Sequence, residues 1–161
     1  MTILPTDGLR FKVCPLRPSQ IDQALAMLDL TGPRMSLAAW RHYAEPRLRA
    51  DPSKAGILSV QCERAYIYGL LGYETVRLGC DQTMAVDLFQ ALDPIGDGAI
   101  TRPLIRAVES VAAGSGCSAV HFDIADFKGA QVIALRPNSL AVLCQSGYAV
   151  DSIALSKSLI P

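Results

Sequence analysis

The chain of 161 residues carries 15 basic and 15 acidic side chains, and half of it is apolar. Such a composition is globular rather than disordered, at a length that buries a sizeable core without disulfide or metal staples. The charge balance excludes a polybasic nucleic-acid surface, whose affinity comes from clustered Lys and Arg. No charge-free stretch reaches the roughly 18 apolar residues of a membrane span, and Met1–Lys12 lacks the apolar core of an export signal. The expected address is therefore the cytoplasm, with neither membrane nor nucleic acid as partner. Five cysteines without a CxxC pair read as reduced thiols.

In chain order, Leu9–Leu16 predicts a strand, with Phe11 and Val13 on one face. Ser19 and Asp22 resemble a capping box opening a helix, and Ile21, Ala24, Leu25 and Leu28 form its apolar stripe. Gly32-Pro33 stops it. Ser36 caps a second helix bearing Leu37, Trp40 and Tyr43, which Pro46 is expected to kink or restart. Three strands follow: Gly56–Cys62, Ala65–Leu78 and Thr83–Leu92. Short turns join them into an antiparallel meander, and Gly69 and Gly72 suggest a bulge. Pro94–Ala99 is a glycine-bearing loop. Thr101 can cap a helix to about Ala113 with Leu104, Ile105, Val108, Val111 and Ala112 buried. Ala119–Ile124 is a strand, so this unit predicts a right-handed parallel crossover. Gln131–Arg136 reads as a helical turn or a strand. Pro137-Asn138-Ser139 opens a helix through Gln145, and Tyr148–Val150 and Ser152–Leu159 close the chain as strands.

This element order resembles the GNAT (N-acetyltransferase) superfamily. Three segments carry the likeness: Leu92-Asp93-Pro94 leading through the loop to Leu104-Ile105-Arg106-Ala107-Val108-Glu109; Ser139–Cys144 running into Gly147-Tyr148; and the closing strand. The resemblance implies an α/β fold of the α+β kind, spanning 1–161 as one domain. It has a central, mostly antiparallel sheet with one parallel strand–helix–strand unit and helices on both faces. It further implies an acyl-CoA-dependent N-acyltransferase, acting with acetyl-CoA or another acyl-CoA on a small-molecule or peptide amine. The closing strand permits a homodimer. Carried over residue by residue, the cofactor loop falls on Gly96, Gly98, Ala99, Ile100, Thr101 and Arg102. Their amides would meet the diphosphate at a helix's positive end. Arg102 could pair with a phosphate. The pantetheine arm would lie between Thr83–Leu92 and Ala119–Ile124, against the backbone near Leu92. The sequence departs from the family at Gly96, Ala99 and Thr101. Asp97 places a negative charge in the loop, and Leu143 stands where the family has a tyrosine acid. Ligand or partner binding without catalysis is therefore the second function class.

The candidate base is Asp87, a carboxylate among apolar residues on a central strand. Burial would raise its pKa toward that role. Pairing with an Arg or a turn is the competing reading. His121, with Asp123 to orient it, and Cys144, next to Leu143, are further candidates against ordinary packing. Tyr66, Tyr68 and Tyr73 could line an acceptor pocket or simply pack. Cys117 and His121 could share a metal only with ligands the sequence does not pair with them.

Overall fold

In the computed structural model, residues 3–6, 9–31, 34–93, 96–123, 137–151 and 154–160 are described. Strands β1 (Ile3–Thr6) and β2 (Leu9–Pro15) precede helices α1 (Ile21–Thr31) and α2 (Leu37–Arg49). The meander is β3 (Ala55–Cys62), β4 (Ile67–Leu78) and β5 (Asp81–Ala91). Helix α3 (Thr101–Gly114) leads to β6 (Ala119–Asp123), and α4 (Pro137–Gln145), β7 (Ala149–Asp151) and β8 (Ala154–Ser158) follow. The strands form one sheet ordered β1-β2-β3-β4-β5-β6-β8-β7. Every neighbouring pair is antiparallel except β5–β6, the parallel pair joined by α3. This is the mixed α/β architecture expected from the element order. Among the described residues no helix is long and apolar enough to cross a membrane.

Helices cover both faces. A side chain at Gly69 would run into Ile100 and Leu104 of α3, whereas one at Gly72 would run into Tyr43 of α2. Three positions apart on one strand, these glycines point to opposite faces, so α2 and α3 lie on opposite sides of the sheet. Helices α1 and α2 are tied together where the Trp40 indole N–H donates to the Ile21 carbonyl over 2.7 Å. Trp40, Ile57, Leu70, Leu71, Phe89, Leu104 and Phe122 are almost completely excluded from water and form the centre of the core.

Several local expectations change. Helix α1 begins at Ile21, after a 3-10 turn at Pro18–Gln20 that the Gln20 side chain closes on the Arg17 amide, rather than at a Ser19 cap. Pro46 does not break α2. It sits in the last turn, where little of the helix remains to lose a hydrogen bond. Ser36 does cap that helix, accepting from the Ala39 amide. The strand β1 has no counterpart in the sequence reading, and Ala65, at φ 60, belongs to the turn before β4. The expectations for Gly32-Pro33, Pro94, Ile124, Gln131–Arg136 and Ser152 fall outside the described residues.

Candidate functional site

The strands that should frame a cleft part where expected, but only over half its length. The β5–β6 ladder runs from Thr83↔Ala119 to Val86↔Phe122 and then stops. Asp123 still pairs with Ala154 of β8. The opening thus begins at Asp87. Because the Leu92 amide donates to the Tyr68 carbonyl, strand alternation turns the N–H and C=O groups of Phe89 and Ala91 toward the opening. The Leu92 amide itself faces β4. An aromatic row underlies the gap: Phe89 meets Phe122 edge-on at 5.5 Å, and Phe122 meets Tyr148 at 5.2 Å. Leu143, at the family's tyrosine position, is fully buried.

At the end of β5 the loop turns on Gly96 and Gly98, whose φ values of 73° and 82° suit glycine. Among the candidate cradle residues, the amides of Gly96, Ala99, Ile100 and Arg102 are already bonded. Asp93 accepts from the Ile100 amide at 3.0 Å through one oxygen and from the Thr101 hydroxyl at 3.1 Å through the other. Asp97 accepts from the Ala99 amide at 3.0 Å. The Gly96 amide donates to the Asp93 carbonyl, and the Arg102 amide to the Gly98 carbonyl. Arg102 reaches Gln145 of α4 at 2.9 Å. A Cβ at Gly98 would lie 3.0 Å from Val142 and 3.1 Å from the Arg102 Nε. The positive end of α3 is therefore already met by two carboxylates.

Asp87 faces away from this loop. Its carboxylate accepts from the Tyr43 hydroxyl and from Arg47 Nη2, each at 2.5 Å, on the α2 side of the sheet. Arg47 also lies 3.7 Å from Glu74 and stacks on the Tyr43 ring. Burial pushes the Asp87 carboxyl above its ordinary range, and Glu74 adds to this. The Arg47 charge and the Tyr43 hydrogen bond oppose the rise. Burial also raises the Tyr43 phenol well above its usual value, with the Asp87 charge next in effect.

The remaining candidates do not gather at one point. His121 sits on β6 opposite Ala85, on the same side as Asp87. The side chain of Asp123 lies outside the described part. Cys144 is exposed on α4, and Cys117 is buried with its sulfur 3.9 Å from the Gln82 amide nitrogen. Among the described residues no group of three or more His, Cys, Asp or Glu could hold a metal. Tyr66 is exposed, Tyr68 packs edge-on against Phe11, and the Tyr73 hydroxyl donates to the Pro52 carbonyl. Asp93 is the site residue that sequence reasoning missed. Its signal was an Asp-Pro at the end of the strand, before a glycine loop.

No protein-family profile matches the sequence, and no curated protein matches it. Solved structures do. The GNAT domain of S. lividans PAT superposes with a TM-score of 0.70 at 15% identity, covering 95% of this chain and 93% of that one. The ribosomal-protein-S18-alanine N-acetyltransferase from Escherichia coli gives 0.67 at 8% identity, covering 92% and 94%. A Trypanosoma brucei acetyltransferase gives 0.63 at 17% identity, covering 88% and 94%. This chain has the GNAT fold. At such identities the likeness is one of architecture, and function rests on the site.

Proposed function

We propose that this chain, acting as one GNAT-like domain over 1–161, binds a ligand or partner without transferring an acyl group. One observation carries this reading: Asp93 and Asp97 hold the Ile100 and Ala99 amides, two of those that would otherwise cradle the diphosphate of acyl-CoA. A phosphate brought to the same N–H groups would meet a carboxylate within about 4 Å. Like charges at that separation repel by about 1 kcal/mol in water and about 4 kcal/mol at a partly desolvated surface. The residues present do not fit the cofactor's diphosphate. Leu143 supplies no acid, and Asp87 is bound by Arg47 and Tyr43, so neither would take a family role. What the opening offers is backbone donors and acceptors at Phe89 and Ala91 over an aromatic floor, which suits an uncharged, amide-bearing ligand.

Calorimetric titration with CoA and acetyl-CoA tests this. No heat is expected up to millimolar ligand. Micromolar binding, lost in Gly98→Glu, together with transfer of the acetyl group to an added amine, overturns the reading. It would support acyl-CoA-dependent N-acyl transfer to an amine, the alternative that the parting of β5 and β6 favours.

A further inference from the structure

We propose that Tyr43, Arg47 and Asp87 form a pin that sets where β5 and β6 part, with Asp87 as its positioning residue. The pin operates whichever ligand the opening takes.

The bulge and the parting fall at one residue. Gly72 and Tyr73 are consecutive on β4 yet pair with Leu88 and Val86, which leaves Asp87 as the extra residue of β5. Val86 is also the last β5 residue paired with β6. A bulge bends its strand and increases the local twist. Past Asp87, β5 therefore turns away from β6, while β6 continues alongside β8.

The inserted residue has no ladder partner, and what fixes its direction is its side chain, which α2 holds. The Tyr43 hydroxyl and Arg47 both bond the Asp87 carboxylate. Gly72, across the ladder from Leu88, makes this approach possible, since a Cβ there would lie 2.0 Å from the Tyr43 hydroxyl oxygen. Arg47 is largely buried, and its Nε has no hydrogen-bond partner among the described residues. Asp87 is the shortest-range charge partner of its guanidinium, with Glu74 more distant and more exposed behind it. Neutralising Asp87 leaves a desolvated cation whose remaining partners are the distant Glu74, a long bond from Nη1 to the Tyr43 carbonyl and the Tyr43 ring, and that arrangement relaxes. Tyr43 and Arg47 of α2 and Glu74 of β4 face Asp87, and His121 of β6 lies on the same side of the sheet.

Backbone amide exchange measured by NMR, expressed as protection factors, tests the pin in wild type, Asp87→Asn and Arg47→Gln. Both variants are expected to lose about tenfold protection in β5 and β6 around Val86 and Phe122, with β2 and β3 changed by less than about twofold. Unchanged protection near the bulge or an equal loss in every strand overturns the proposal. If neither variant folds, Tyr43→Phe removes one bond of the pin and keeps the ion pair. A local loss in it supports the pin, and a uniform loss or none overturns it.

Discussion

Asp93 gives both carboxylate oxygens to the start of α3, one to a backbone amide and one to a hydroxyl. It thus acts as a remote cap on a helix whose N-cap position is Ile100, with no capping side chain, rather than the expected Thr101, whose hydroxyl instead donates to Asp93. Asp93→Ala is expected to lower stability by about 1 kcal/mol, the usual cost of a lost cap, with Asp93→Asn losing less. Urea unfolding measures both. This contact was not legible in the sequence, because the capping residue and the capped amide are separated by a loop whose course local spacing does not fix. Asp97, two residues from the amide it holds, was visible as a charge in the loop, but its partner was not. For Asp87 the sequence stated two roles, base or Arg partner. The Arg that binds it stands 40 positions away, and only the folded sheet brings the two together.

Elements were easier to read than contacts. The meander, α3 and β6 lie close to their expected bounds because alternation and helical spacing are strong over long segments. The short β1 escaped notice, since Ile3–Thr6 is four residues long and contains Pro5. Gly69 was read as a bulge signal, and the structure gives it a packing reason as well. It lets α3 close on β4, as a Cβ there would lie 2.8 Å from Ile100 and 2.9 Å from Leu104. Gly69→Ala is therefore expected to cost about 1–3 kcal/mol by overpacking, read from the denaturation midpoint. A second joint links α3 to the chain's last strands. The Tyr148 hydroxyl and the Lys157 ammonium both donate to one Glu109 oxygen over 3.0 Å, and Lys157 also donates to the Ser146 carbonyl. Tyr148→Phe keeps the ring on Phe122 and leaves Lys157 with Glu109. It is expected to lose about 1 kcal/mol in the same assay.

For the whole molecule, the raised Asp87 carboxyl gives a definite sign to the response to pH. A group that holds its proton more tightly when folded favours the folded state most at low pH. That contribution is present below the ordinary carboxylate value of 3.8 and is lost as pH rises through the raised Asp87 value. Wild type is therefore expected to lose stability relative to Asp87→Asn as pH increases from about 3 toward about 7. Melting temperatures of the pair across that range check it, and a gap that stays constant or moves the other way contradicts it.

The two oxygens of Asp93 also shape what mutation can reach from here. Placing glycine at residue 99 would not by itself reopen the loop to an anion, since the carboxylates would stay. Deleting Asp93 first would strip α3 of its cap and leave a less stable chain before any new ligand could compensate. On the proposed reading, gaining anion affinity at this loop requires coordinated changes at several positions, because the carboxylate nearest the helix also caps it.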